Sequence, residues 1–80
     1  MEVNVKTYAT FRKYAPPDTP MGESFKVNVD KKTVLGIIEK LGIPLEKGVI
    51  VMVNSNRITD LNQKLTSEDL VVIFPLLGGG

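Results

Sequence analysis

The sequence closes with three glycines, Gly78 to Gly80, which directly follow the apolar run from Leu70 to Leu77. Glycine has no β-carbon, so a glycine backbone can enter a narrow channel and approach another surface closely. The carboxylate of Gly80, carried on such a tail, could be presented to an enzyme as a substrate. The alternative is a frayed end, which is common at chain termini. The rest of the chain has to decide between these two interpretations.

Composition removes most other kinds of site chemistry. The 80 residues contain neither cysteine nor histidine, which excludes disulfides, thiolate nucleophiles and imidazole bases. Zinc sites that need those ligands are excluded with them, and we expect no metal site. A reactive carboxylate at Gly80 is unaffected, because it belongs to the backbone.

Charge and hydropathy argue against nucleic acid and membrane partners. Ten basic and nine acidic side chains give a net charge of +1, without the dense basic face that phosphate backbones require. The apolar run at 70–77 is far shorter than the roughly 20 residues of a membrane helix. The start, Met1 to Asn4, lacks the basic and apolar blocks of a signal peptide. We expect a single cytoplasmic domain.

Five segments carry the apolar patterns of β-strands. They cover residues 3–9, 24–29, 49–53, 58–59 and 70–74. The runs at 49–53 and 70–74 are apolar at every position, which indicates strands that lie centrally in a sheet or are buried on both faces. Phe11 and Tyr14, spaced by three, suit a short helical turn, and Asn54 to Asn56 suit a tight turn.

One amphipathic helix interrupts the strands. Its apolar stripe has the spacing i, i+3, i+4 and i+7 and consists of Val34, Ile37, Ile38 and Leu41. Thr33 is the predicted N-cap, and Gly42 suits the left-handed position at the end, ahead of Pro44. Gly36 is predicted opposite the stripe, at a cost of roughly 1 kcal/mol of helix propensity relative to alanine.

The order of these elements is β, β, α, β, β, β, and it predicts an α+β domain. A single helix covers one face of a sheet, and a right-handed crossover makes a later strand parallel to the first. The first strand and 70–74 are the candidates for this central parallel pair. The result is a β-grasp: a mixed sheet of about five strands with one helix packed across one face. We expect residues 1–80 to form one domain whose residues 75–80 are a flexible tail leaving a central strand.

An ordered set of short segments resembles the MoaD/ThiS sulfur carriers, which are ubiquitin-like β-grasp proteins. The match covers the whole chain in the same order, although each segment is weak by itself. The segments are Tyr8-Ala9-Thr10-Phe11-Arg12, Thr33-Val34, Leu41-Gly42-Ile43-Pro44, Val53-Asn54, and Phe74-Pro75 ahead of the terminal glycines.

The resemblance implies a carrier rather than an enzyme, with no bound cofactor. A ubiquitin-activating-type adenylyltransferase would use ATP to convert the Gly80 carboxylate to an acyl-adenylate, and a sulfur donor protein would replace AMP to give a thiocarboxylate. In the molybdopterin branch, which serves molybdenum or tungsten cofactors, the tail enters the large synthase subunit and gives its sulfur to a pterin precursor. In the thiamin branch the sulfur enters the thiazole ring.

This interpretation assigns roles to the last seven residues. Gly80 carries the chemistry, and Gly78 and Gly79 supply the slim lead that threads a partner's channel. Phe74, Pro75, Leu76 and Leu77 anchor the tail at a hydrophobic rim of the partner, since exposed apolar patches mark partner surfaces. Phe74 could equally lie in the domain's own core.

Two features depart from the family pattern. The chain has three terminal glycines after two leucines, where the family has two glycines, and Ser67 to Asp69 lacks the usual glycine before the last strand. We favour the molybdopterin branch on Tyr8 to Arg12, the proline-rich segment after it and Phe74-Pro75. The alternatives are a thiamin carrier, a ubiquitin-like modifier joined to lysines through Gly80, and an interaction module with an inert tail.

Overall fold

The computed structural model describes residues 1–20 and 22–76. Its strands are β1 (Glu2–Thr7), β2 (Phe25–Asn28), β3 (Val49–Val53), β4 (Asn56–Ile58) and β5 (Leu70–Pro75). One α-helix, α1, spans Val34–Leu41, and two 3-10 helices span Ala9–Tyr14 and Leu45–Lys47. Among these described residues, no helix has the length and apolar character needed to cross a membrane.

The five strands form one mixed sheet in the order β2-β1-β5-β3-β4. β1 and β5 are parallel, while the β1–β2, β3–β4 and β3–β5 pairs are antiparallel. The predicted central parallel pair, formed by the first and last strands, is confirmed. The central position of β5 means that the last strand leads the chain out from the middle of the sheet.

The core lies between α1 and one face of the sheet. The helix contributes Val34, Ile37 and Ile38, all fully buried, as predicted. The facing sheet residues are also fully buried: Val3, Val5, Val51, Val71 and Ile73. Leu41 is the exception in the predicted stripe, because it is only half-buried at the margin of this core.

The predicted ends of α1 are confirmed. The Gly36 N–H donates to the Thr33 hydroxyl oxygen at 3.0 Å, which satisfies one of the free donors of the first turn. Gly42 has the left-handed backbone, with φ 76°, and its N–H donates to the Ile38 carbonyl at 3.0 Å. These two local signals fix where the helix begins and ends.

Gly36 has a structural role that its helix propensity does not predict. It is buried beneath the loop before α1, and a β-carbon there would collide with the backbone carbonyl of Lys31. A carbonyl fixed in the chain cannot move aside as a flexible side chain can. The glycine is therefore required by the close approach of the loop before α1, which outweighs its helix propensity.

The bounds of β1 and β4 differ most from the sequence pattern, and β4 spans Asn56–Ile58 rather than residues 58–59. β1 ends at Thr7 rather than residue 9, because Ala9 has φ 55° and opens the first 3-10 helix. That helix places Phe11 in the core and half-buries Tyr14, as their spacing predicted. The predicted tight turn between β3 and β4 is confirmed, with φ 51° at Asn54 and 72° at Ser55, the two positive values of a hairpin turn.

Candidate functional site

The end of β5 is the position from which the tail starts. Phe74 and Pro75 are half-buried and Pro75 lies opposite Val49, so β5 extends one residue into the segment predicted as tail. Leu76 follows and is 52% exposed. The remaining predicted site residues, Leu77, Gly78, Gly79 and Gly80, lie outside the described residues. Their assigned roles stay predictions.

Gly48 lies against Leu76 and orients the start of the tail. The Leu76 N–H donates to the Gly48 carbonyl over 3.4 Å, and a β-carbon on Gly48 would stand 3.1 Å from two Leu76 side-chain atoms. Gly48 also has φ 84°, in the region that favours glycine. No local pattern in the sequence indicates this contact, since the two residues are distant in the chain.

We expect Gly48→Ala to impair the chemistry of the tail by displacing Leu76. Its φ alone should cost about 1–2 kcal/mol of stability. The matched control is Gly22→Ala, at φ 82° with no atom within 4 Å of the added β-carbon. Thermal melting should report similar losses for both variants, while only Gly48→Ala slows modification of the terminal carboxylate. Equal rates in the two variants would contradict a positioning role for Gly48.

Phe74 does not enter the domain's core. It packs against the Tyr8 ring in an edge-to-face arrangement, with ring centroids 6.4 Å apart and planes at 80°. Tyr8 is itself 36% exposed, and its N–H donates to the Ile73 carbonyl at 3.2 Å. The start of the first 3-10 helix and the end of β5 thus form one partly exposed aromatic surface beside the tail.

That aromatic surface continues into the sheet face opposite α1, which we call the open face. No element packs over it within residues 1–20 and 22–76, and its central side chains remain half-buried. They form an apolar strip on two neighbouring strands: Ile50 and Met52 of β3, with Leu70, Val72 and Phe74 of β5. An unpartnered apolar strip of this kind indicates an interaction surface.

Basic side chains flank the apolar strip. The strand register places Lys6, Val72, Met52 and Arg57 in one row across β1, β5, β3 and β4. The two apolar residues are therefore bracketed by two cations. The open face thus offers an apolar centre with positive margins, and it ends where the tail begins.

The sequence predicted that β3 and β5 lie centrally in the sheet or are buried on both faces. Their central position is confirmed, but one face of each strand belongs to the open face. A continuously apolar strand shows that both of its faces avoid water, but not what covers the second face. The sequence nevertheless contained a signal for the open face. The predicted fold has strands that are apolar on both faces but only one helix, which can cover only one of those faces.

A cluster of hydrogen bonds around the Asp69 carboxylate and the Asn54 side chain, which we call the polar clasp, lies at the start of β5. The Asn54 amide donates to the Asp69 carboxylate at 2.8 Å, and the Leu70 N–H donates to the Asn54 side-chain oxygen at 2.9 Å. The second carboxylate oxygen of Asp69 accepts from the Thr66 N–H at 2.8 Å. This is the geometry that replaces a glycine turn before the last strand, and it fixes where β5 starts.

The clasp predicts a pH dependence of stability. The Thr66 backbone N–H, and then the Asn54 amide, hold the pKa of the Asp69 carboxyl below its ordinary value of 3.8. The ionised clasp therefore stabilises the fold above pH about 3.8, and this contribution is lost as pH falls from there through the folded-state pKa. Asp69→Asn should melt below the parent protein at pH 7, with the difference shrinking in acid.

The control for this prediction is Glu68→Gln, which removes a neighbouring exposed carboxylate. Melting curves from pH 2 to 7 should leave the Glu68→Gln profile parallel to that of the parent protein. A difference for Asp69→Asn that does not change with pH would contradict the clasp as an ionised contact.

Within the described residues there is no group of three or more acidic side chains arranged to hold a metal ion. The geometry instead combines an apolar docking face, a central strand and an exit point held by Gly48. Such an arrangement can present a chain end to a partner, because a rigid body sets where the tail starts.

The comparison with protein families bears on this arrangement directly. A model of the ThiS family matches residues 5–80 of the sequence. The chain belongs to the ThiS family. The resemblance found in the sequence is thus confirmed at the level of the family. No curated protein matches this ThiS-family sequence at a significant level.

Three solved structures share the ubiquitin-like β-grasp fold, and each aligns with the whole of this chain. One comes from the complex of subunits 1 and 2 of molybdopterin-converting factor from Helicobacter pylori, with 20% identity, 100% coverage of that chain and a TM-score of 0.60. SAMP1 from Haloferax volcanii has 17% identity, 100% coverage and a TM-score of 0.63. A second Haloferax volcanii protein, solved in solution, has 23% identity, 87% coverage and a TM-score of 0.65. At these identities the likeness establishes the fold alone.

Proposed function

We propose that this protein is a cytoplasmic sulfur carrier whose Gly80 carboxylate becomes a thiocarboxylate and donates sulfur in molybdopterin biosynthesis. The observation that carries the proposal is the exit of β5. A central strand of a rigid sheet brings the half-exposed Leu76 to the end of an open apolar face. The protein then serves as a carrier and co-substrate, and its partners supply the catalytic groups.

The proposed chemistry begins with a carboxylate oxygen of Gly80 attacking the α-phosphorus of ATP. Pyrophosphate leaves, and an acyl-adenylate forms. A sulfide sulfur then attacks the acyl carbon, AMP leaves, and the terminus becomes a thiocarboxylate. Cysteine and histidine are absent from the chain, so any thiol or imidazole group that takes part in either step must come from a partner.

The first partner is a ubiquitin-activating-type adenylyltransferase that docks on the open face. Its contact surface should be apolar at the centre and acidic at the rim, because the strip of Met52 and Val72 lies between Lys6 and Arg57. Charges at a rim act mainly on association rate and orientation. Since the same face adjoins the tail, the activating enzyme and the large synthase subunit would bind it in turn, not together.

Reversing one rim charge tests this docking mode. Arg57→Glu should lower kcat/KM for adenylation on the order of tenfold, because it sets like charges against an acidic rim. The exposed position should leave thermal stability nearly unchanged. Lys32→Glu is the charge-matched control, since Lys32 lies in the loop before α1 and not on the open face. Equal effects from both variants would contradict docking through this face.

The molybdopterin branch is supported by the contact between Tyr8 and Phe74. It brings together two of the three segments that favour that branch, Tyr8 to Arg12 and Phe74-Pro75, in one surface beside the tail. The likeness to a subunit from a complex of molybdopterin-converting factor is consistent with a large-subunit partner. The thiamin carrier and the lysine-conjugated modifier are the other outcomes that an experiment has to separate.

Mass spectrometry of the untagged protein provides that experiment. The protein is incubated with its activating enzyme, ATP and sulfide, and then with either pterin precursor and large synthase subunit or thiazole-forming enzymes. Replacement of one oxygen by sulfur at Gly80, reversed only by the pterin system, is the expected result. Reversal only by the thiazole system would assign the thiamin branch. Lysine conjugates without thiocarboxylate would assign a modifier, and no change would overturn all three.

A further inference from the structure

A shallow groove lies on the helix side of the sheet, at the edge that β2 forms. Its volume is about 350 Å³, and it separates β2 from the last turn of α1 and the end of the first 3-10 helix. Its apolar floor consists of Tyr14, Phe25, Val27 and Leu41. This position explains why Leu41 is only half-buried, since the groove runs along its side chain. Among the described residues, none of the apolar strip on the open face lines this groove.

The backbone of β2 is available along this groove. Met1 and Val29 exchange both of their hydrogen bonds, at 2.9 and 3.2 Å. In an antiparallel pair such bonded positions alternate with unbonded ones. Lys26 and Asn28 therefore direct their N–H and C=O groups away from β1, toward the edge. Both residues are exposed and line the groove, so these groups can accept another strand.

The rim of the groove is basic. Lys26 and Lys40 line it, and no acidic residue does so among the described residues. A third cation, the ammonium of Lys13, lies 5.4 Å from the centre of the Tyr14 ring. The nearby acidic residue of α1, Glu39, faces Lys31 at 3.9 Å instead. An occupant of this groove should therefore carry negative charge.

We propose that this groove binds an extended peptide segment of a partner protein, which adds to β2 as a new edge strand. Alternate branched aliphatic side chains of the peptide pack on Phe25 and Leu41, since strand side chains alternate between faces. Acidic residues flanking them pair with Lys40 on the helix side and with Lys26, which the alternation of β2 places on the opposite face of the same edge. A second copy of this chain fits poorly, because pairing β2 with β2 would bring the two Lys26 side chains to neighbouring positions.

This inference is independent of the chemistry at Gly80. The groove lies on the helix side at the β2 edge, whereas the open face is on the other side of the sheet. A peptide can therefore occupy the groove while an enzyme holds the open face and the tail. Such a site would let a partner retain the protein through successive reactions of its terminus.

The test is a titration of the full-length, ¹⁵N-labelled protein followed by NMR. The probe peptide is Val-Thr-Val-Thr-Val followed by three aspartates. A matched peptide ends in three lysines, and another has proline for the central valine, which removes a strand donor. We expect the acidic peptide to shift the amides of Lys26 and Asn28. The basic and proline peptides should bind about tenfold more weakly or worse.

Charge reversal in the protein provides the second arm. Lys26→Glu with Lys40→Glu should invert the preference between the acidic and basic peptides, whereas Lys32→Glu with Lys64→Glu should leave it unchanged. The proposal is overturned if the acidic peptide shifts Ile50, Met52 and Val72 instead, if both charged peptides bind equally, or if no amide shifts at millimolar peptide. Shifts in β2 that depend on protein concentration alone would assign the edge to a second copy.

Discussion

Removing one terminal glycine should abolish thiocarboxylate formation while leaving the melting temperature nearly unchanged. Leu76 is tied to Gly48, so a rigid body sets the start of the tail. Each residue lost then withdraws the reactive carbon by up to about 3.5 Å. A misplacement of about 1 Å can already cost on the order of a hundredfold in rate. Mass spectrometry after incubation with the activating enzyme measures this loss.

Because the last three residues are all glycine, this deletion changes only the length of the tail. Deleting Gly78, Gly79 or Gly80 gives the same chain, so the variant keeps a glycine terminus and changes only its reach. One added glycine should be equally inactive, because the carboxylate is carried past the reaction position. Gly80→Ala keeps the length and tests whether a side chain is tolerated there.

The melting temperature distinguishes a tail that acts only in the reaction from a tail that stabilises the fold. The core residues lie between Val3 and Ile73, so neither deletion nor extension should disturb them. A large loss of stability on deletion would mean that the tail is structural. Full activity in the shortened chain would mean that the partner does not measure its length.

The sequence predicted most of what depends on local chemistry. Thr33 and Gly42 mark the ends of α1 because capping needs only a hydroxyl or a left-handed residue at one position. The positive φ values at Asn54 and Ser55 follow from the same kind of local preference. The central parallel pair was predictable as well, since topology rules leave few arrangements for this element order.

What the sequence missed depends on contacts between distant segments. Gly36 was interpreted through helix propensity, but the carbonyl of Lys31 decides its identity. Gly48 holds Leu76, and Tyr8 packs on Phe74, and neither pair is visible as a local pattern. The proposed site therefore consists of a tail that the sequence displays plainly and a supporting surface that only the tertiary fold assembles.

Shortening a buried side chain of α1 should lower the stability of the fold more than any other substitution proposed above. Ile37 is fully buried in the core, so Ile37→Ala should cost about 2–5 kcal/mol of stability. An 80-residue domain has a total stability of roughly 4–12 kcal/mol. The variant should therefore lose a large share of its stability and unfold partly at physiological temperature. Urea unfolding followed by circular dichroism measures the difference.

Leu41→Ala is the matched comparison on the same helix. It removes a side chain of the same size, but Leu41 is half-buried beside the β2 groove. Water already reaches part of this side chain, so less transfer free energy is lost and a smaller cavity remains. The cost should be clearly below that of Ile37→Ala. Equal costs at the two positions would mean that Leu41 belongs to the core, and the groove that carries the proposed peptide site would then be closed.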